Sequence, residues 1–443
     1  MRFPLVLYAA MVAAVCAAPL KTPNRPTDDP FYRPPEGFEK AESGEILRFR
    51  KMENPYGALY MTANVSATYQ YLVKSENSHG TPIGIISTLL VPYDADPKKL
   101  LSFQIAEDST YENCAPSYAL QVGSAPATII TAQMEFYFIQ AALNKGWYVV
   151  VPDYLGPNST NTAGHLAGKA VLNSIRGVLS NGNSTGIDNE ADVALWGYSG
   201  GSVGTGWGAQ MHPTYAPELN LIGAAYGGVL VNATSAAVYN MGKVSAGLSF
   251  TTLNGLGNEY PQLNEWIEQK VFPNKLEAFR KTNRACLIQY LPSYILAKWE
   301  DYFMEGESVI YDEVFQNVTN MNNMLLNGML PDIPIYLYNS KYDELLVTAD
   351  TDKLYEHFCS SGVSVEYHQE VLSEHMMTFV TGGGGAFEWL VSKFNGTEAP
   401  SGCTRKSTLS GLLNKVSMAG ISDMSSHFVS TLWYNKPVGP SQQ

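Results

Sequence analysis

The sequence predicts an α/β fold: a mainly parallel sheet covered by helices on both faces, preceded by an antiparallel pair and interrupted by a long helical insertion. Three observations carry this. Short apolar runs of the buried-strand type alternate with stretches of helical periodicity, the pattern of strands joined by helical crossovers. Two β-rich runs near the front are separated only by a polar turn, so they pair antiparallel. The alternation then stops for about a hundred residues, in a stretch that reads as helices broken by Gly and Pro, before it resumes.

Each element follows in order. Residues 1–18 (MRFPLVLYAAMVAAVCAA) have one positive charge at Arg2, an apolar run from Phe3 and small residues before Pro19. This is the pattern of a secretory signal peptide cleaved after Ala17 or Ala18. A membrane anchor is the competing reading, but a run of about 16 residues is short for a span. Residues 19–57 are rich in Pro, Asp and Glu and read as an extended lead-in. Residues 58–228 form the first part of the core. Within it, 69–74 (YQYLVK) and 83–91 (IGIISTLLV) flank the turn ENSHGTP, and 100–105 (LLSFQI) is a further strand. Helical spacing over 133–144 leads to the buried-type strand 147–152 (WYVVVP), and helical spacing over 164–176 precedes the strands 192–196 (DVALW) and 221–225 (LIGAA).

Residues 229–332 are the helical insertion. Placed between two strands, it sits over the C-terminal edge of the sheet, where open α/β sheets bind ligands. It therefore reads as a cap or lid rather than a remote accessory domain. Residues 333–443 complete the core, with strands at 333–338 (IPIYLY) and 363–368 (VSVEYH) and a helix over 351–358 between them.

Composition narrows the function. The 443 residues carry a formal net charge of −13, which argues against nucleic acid and against electrostatic docking on anionic membranes. Hydrophobic residues make up 45% and charged residues 16%, ample for a large core. Without Cys16 of the leader, Cys114, Cys286, Cys359 and Cys403 remain; an even count in a secreted chain reads as two disulfides. There is no C-x-x-C pair and no H-E-x-x-H, so neither sequence motif points to a metal or redox centre. Six N-x-S/T sequons, at Asn64, Asn158, Asn183, Asn232, Asn317 and Asn395, fit a glycosylated secreted chain.

The chemistry lies in NGNSTGIDNEADVALWGYSGGSVG, residues 181–204, which contains G-x-S-x-G three times. Ser184 overlaps the Asn183 sequon in a polar loop and has no strand before it. Ser202 falls within the helix that follows Ser199 and reads as a packed or capping hydroxyl. Ser199 directly follows a buried strand and precedes a small-residue helix, the arrangement of a nucleophile elbow. A serine needs a base and an orienting acid. Of the five histidines that follow, His212 lies at the end of the elbow helix, His357 in a helix, His368 in a strand and His427 in a polar stretch near the end. His375, in the loop VLSEHMMTF just after the last strand, is placed to hang over the sheet edge. Asp343, after IPIYLY, is the candidate acid, with Glu344 and Asp350 as rivals. One oxyanion donor is the backbone of Gly200; the other comes from the loop 106–110 (AEDST), which lacks the HGGG form.

AEDSTYENCAPSYAL, WGYSGGS, YDELLV and SEHMM, in this order, resemble the secreted fungal lipases of the lipase A type, from PEGFEKAESGEIL near the start to NKPVGP at the end. The resemblance implies an α/β-hydrolase fold with a helical cap and triacylglycerol lipase activity without a cofactor or metal. It implies the triad Ser199, Asp343 and His375, oxyanion donors at Asp108 and Gly200, and the disulfides Cys114–Cys286 and Cys359–Cys403, the second tying the last helix to the C-terminal tail. It further implies a C-terminal flap, residues 434–440, covering the acyl pocket. The expected partner is a lipid ester at an oil–water interface, met by a secreted monomer. An esterase or acyltransferase acting on smaller soluble esters would use the same triad, and a non-catalytic binding protein would have no need of all three residues.

Overall fold

The computed structural model describes residues 22–58, 61–128 and 132–440; the signal-peptide segment lies outside them. Ten strands form one sheet: β1 (Ile46–Lys51), β2 (Ala67–Glu76), β3 (Pro82–Val91), β4 (Lys99–Gln104), β5 (Tyr148–Pro152), β6 (Asp192–Tyr198), β7 (Leu221–Gly227), β8 (Ile335–Ser340), β9 (Val365–Glu370) and β10 (Cys403–Thr408). Their spatial order is β1-β2-β3-β5-β4-β6-β7-β8-β9-β10. The first three strands and the β3–β5 contact are antiparallel; every later pairing is parallel. This is the α/β arrangement that the sequence predicts, an antiparallel front joined to a parallel sheet.

The pleat explains the layering. Successive side chains point to opposite faces of a strand. Val150 packs with α2 (Gly164–Leu179) and α3 (Gly201–Tyr215) on one face, alongside Leu195, Val171 and Trp207. Val149 and Val151 pack on the other face with α1 (Met134–Asn144), alongside Phe103, Phe138 and Trp196. Both faces are covered, so the central strands are apolar throughout. Each such side chain contributes about 1.5–3 kcal/mol by leaving water.

Between β7 and β8 the chain builds α4 (Ala233–Asn240), α5 (Gly247–Glu259), α6 (Pro261–Lys270) and α7 (Glu313–Met321), joined by short helical turns. These have an aromatic core of their own, in which Phe250 stacks on Tyr294 at 4.1 Å between ring centres and meets Tyr302 edge-on. After β8 come α8 (Thr348–Ser360), α9 (His375–Phe394) and α10 (Lys415–Phe428). No helix of the described residues is long and apolar enough to cross a membrane.

Four expectations change. The lead-in contains the edge strand β1, whose sequence ILRFRK exposes charge, as an unpaired edge requires. The strand before His375 is not the last, because β10 follows it in parallel. Cys359 pairs with Cys403, but the bond ties α8 to the start of β10, not the last helix to a tail. The segment 434–440 does not reach the site. Val438 exchanges backbone hydrogen bonds with Asn64 and Tyr93 at 2.9 and 2.8 Å, and Pro440 sits beside Gly146. Those partners lie where the parallel strands begin, whereas Ser199 lies where they end.

Candidate active site

Ser199 forms the step between β6 and α3, with φ of +53°. Left-handed backbone costs a residue with a side chain about 1–2 kcal/mol, so the surroundings must hold it. The Ser199 N–H donates to the Gly227 carbonyl at 2.9 Å. The flanking glycines are required by close approach: a Cβ at Gly197 would lie 2.5 Å from Thr205 Oγ1, and one at Gly201 would strike the Gln104 carbonyl. Gly197 thus lets α3 fold back close over the strand end, and Gly201 lets the turn pack on β4.

His375 is the first residue of α9, not a loop residue, with Glu374 capping that helix through Met377 N–H. The capped start fixes its backbone. Its Nε2 lies 2.9 Å from Ser199 Oγ and its Nδ1 lies 2.7 Å from Asp343 Oδ2. Asp343 Oδ1 accepts from the N–H groups of Leu345 and Leu346 at 2.9 and 2.8 Å, so the carboxylate is aimed before the histidine meets it. The side chains of His375 and Asp343 are 1% and 0% exposed, so their pairing is shielded from water. Burial alone would lower the His375 imidazolium, but the Asp343 charge and hydrogen bond, with Glu344 and Asp108, outweigh it and raise the group above its ordinary value.

Three further residues hold the histidine; the sequence offers Glu344 only as a rival acid and does not point to the other two. Glu344 Oε2 accepts the His375 N–H at 2.9 Å, and the Tyr198 hydroxyl donates to the His375 carbonyl at 2.7 Å. Gly228, with φ of +51°, passes so close that a Cβ would lie 2.7 Å from His375 Cε1. Only the position of Gly228, one residue past a strand end, could have flagged it.

Asp108 sits across from Ser199 with φ of +44°. Its carbonyl accepts from Tyr290 at 2.5 Å, Thr110 bonds Thr282 at 2.9 Å, and Cys114 is joined to Cys286. The insertion therefore clamps this loop. Among the described residues, the N–H groups of Asp108 and Gly200 donate to no other backbone group. A cavity of about 30 Å³ lies between Ser199, Gly200 and Asp108, closed over by Leu230, Leu248 and Thr252 of the insertion. That is room for one water molecule, not an acyl chain. Burial pushes the Asp108 carboxyl up to about 6, against the pull of His375.

The remaining candidates lie apart from this chain. Ser202 is buried in the first turn of α3 and accepts from Leu230 N–H. Ser184 is exposed in the short helix Gly182–Thr185. His212 bridges Asp332 and the Leu219 carbonyl, His368 stacks on Tyr336, His427 pairs with Asp423, and His357 is in α8. Asp350 lies in α8 beside Lys353. Of the sequons, Asn158, Asn183, Asn317 and Asn395 are exposed, while Asn64 and Asn232 are half-buried. No group of three or more metal-binding side chains occurs among the described residues.

Comparison with known proteins agrees with this architecture. The secretory lipase family model matches residues 120–402. Lipase 4 of Candida albicans is 39% identical over 407 residues, covering 90% of this chain and 88% of that protein. Lipase A of Arthroderma benhamiae is 37% identical over 427 residues, covering 94% and 90%. The solved structure of Candida antarctica lipase A in its closed state superposes with a TM-score of 0.84 over 96% of this chain and 100% of that one, at 24% identity, a likeness of fold. The chain belongs to the secretory lipase family, and with it to the serine ester hydrolases.

Proposed function

We propose that this protein is a secreted, glycosylated triacylglycerol lipase that acts as a monomer without a cofactor, freeing fatty acids through an acyl-enzyme. The observation that carries the reading is the continuous hydrogen-bonded chain Ser199–His375–Asp343 beside two N–H groups with no backbone acceptor. Asp343 keeps the proton on Nδ1, so Nε2 is the free base. His375 takes the Ser199 proton as Oγ attacks the ester carbonyl carbon. The oxyanion rests on the N–H groups of Asp108 and Gly200; losing one such donor costs about a hundredfold or more in rate. The C–O bond to the alcohol then breaks as His375 returns the proton to the leaving oxygen. Water, activated by the same histidine, releases the fatty acid.

Two features favour a lipid over a small soluble ester, the alternative reading. The closed cavity admits no acyl chain, so the segment 229–332 acts as a cap that must move aside for substrate. Next to His375 lies an oily surface. In residues 372–380 and 409–419, twelve residues are exposed; ten are apolar, and only Glu374 and Lys415 carry charge. Leu372 and Leu413 are 73% and 71% exposed. The two stretches are joined by Leu372 N–H donating to the Leu409 carbonyl at 2.8 Å. Exposed apolar area of this kind marks an interaction site, and its near-neutral charge suits an uncharged lipid surface.

The test is a fluorophosphonate label on the secreted protein with the adduct located by mass spectrometry. A single adduct on Ser199 is expected; an adduct on Ser184 or Ser202, or none, refutes the mechanism. Faster turnover on emulsified tributyrin than on a dissolved short-chain ester distinguishes lipase from esterase.

A further inference from the structure

The loop that carries Asp108 is acidic and buried, yet no cation is paired with it. Glu107 and Glu135 are each 3% exposed and Asp153 is 7% exposed. Glu135, the second residue of α1, accepts the Ala106 N–H through Oε1 at 2.7 Å. Its other oxygen, and Oε1 of Glu107, have no partner among the described residues. Asp153 accepts from the N–H and hydroxyl of Ser117 at 2.9 and 2.5 Å. The Asp108 carboxyl overhangs Gly200, where a Cβ would collide with it. None of the four takes part in the ion pairs of the described residues.

A buried carboxylate without a cation is costly, and the group keeps its proton instead. Burial pushes all four upward, Asp108 to about 6 and Asp153 to about 7, Glu107 and Glu135 well above the usual carboxylate range. Around Glu135 the titratable neighbours are Asp108 on the loop, Tyr154 after β5 and Tyr338 on β8; none brings a positive charge. A second ionised group beside Asp108 would further oppose the negative charge that develops on the substrate oxygen.

We propose that Glu135 is a positioning residue that works as a neutral acid: its carbonyl oxygen anchors Ala106, and so the Asp108 N–H two residues on, while its proton keeps a second negative charge, beside that of Asp108, away from the oxyanion. The proposal rests on the ester-hydrolase reading above. Activity then fails on the alkaline side when Glu135 ionises, although His375 is by then a competent base. Of the four acids, Glu135 is the one whose side chain holds the loop backbone from outside the loop.

The experiment follows the rate at which a fluorophosphonate modifies Ser199, with the Oγ–P bond forming as fluoride leaves, from about pH 5 to about pH 10. It compares the full chain, Glu135→Gln and Asp108→Asn. Gln keeps an oxygen for the Ala106 N–H and cannot ionise. The midpoint of the alkaline limb is expected to rise by about one pH unit or more in Glu135→Gln, with the acidic limb unmoved. Superimposable profiles for the full chain and Glu135→Gln overturn the proposal. So does an alkaline limb that moves in Asp108→Asn alone, which assigns the titration to Asp108. Should Glu135→Gln not fold, the infrared carbonyl stretch of protonated carboxylic acids in the unaltered protein decides. The stretch must vanish over the same pH range as the rate, and its loss at lower pH overturns the proposal. Failure to label Ser199 at any pH would instead refute the underlying hydrolase reading.

Discussion

Glu344 and His375 are joined through the main chain: the Glu344 carboxylate accepts the His375 N–H at 2.9 Å, while the adjacent Asp343 holds Nδ1 of the same histidine at 2.7 Å. Two neighbouring acids thus fix one residue, one from the backbone and one from the ring. Glu344→Ala is expected to lower kcat about tenfold, the size of one lost hydrogen bond to a charged group, with KM little changed. Glu344→Gln, which keeps an acceptor, should recover most of the loss. Steady-state kinetics of the two variants test this; equal losses would mean the charge, not the bond, matters.

Gly228→Ala should damage catalysis more than folding. The new Cβ would meet His375 Cε1 at 2.7 Å and a backbone φ of +51°. The ring must yield, and a shift of about 1 Å in a catalytic group can cost on the order of a hundredfold. The prediction is such a loss in kcat with a cooperative melt retained. Unchanged kcat would show that the ring is free to adapt.

Activity and stability should run in opposite directions across the titration of His375. Its folded value is raised above the ordinary 6.5, and the base must be neutral to act. The acidic limb of kcat/KM therefore has its midpoint above 6.5. For stability, a raised value means that the imidazolium contributes fully below the unfolded value, and the contribution is lost as pH rises through the folded one. Rate should climb while this group's share of the melting temperature declines, and Asp343→Asn should weaken both trends. A His375 contribution that strengthens with rising pH would contradict the assignment.

Replacing Leu372 and Leu413 together by Asp should separate emulsified from dissolved substrate. Both side chains are largely exposed, so folding should tolerate the change to within about 0.5 kcal/mol each. Turnover of emulsified tributyrin is expected to drop several-fold while turnover of a dissolved ester holds. Parallel drops on both substrates would remove the oily face from the function.

The sequence reading reached the central strands because IGIISTLLV, WYVVVP and DVALW are continuous apolar runs, and only burial on both faces explains such runs. It missed β1 and β10, whose sequences ILRFRK and CTRKST carry the charges of edge strands and look like loop. It also missed α9 as an element, because four consecutive glycines, Gly382–Gly385, argue against a helix by propensity. They are there for packing: a Cβ at Gly383 would lie 2.7 Å from Phe138, and one at Gly384 would strike the Ser417 carbonyl of α10. Ser199, Asp343 and His375 were legible through their order and their places after strands. Glu135, Tyr290 and the backbone role of Glu344 were not, since each acts on a backbone group far away in the chain, and no local pattern encodes such a partner.

The stitching of Val438 to Asn64 and Tyr93 has a practical side. It holds residues 438–440 at the edge of the sheet opposite the nucleophile. A tether attached there would hold the enzyme to a bead or a cell wall with its mouth turned outward, leaving the oily face free to touch a droplet. The same tether at the front of α10 would press that face against the support.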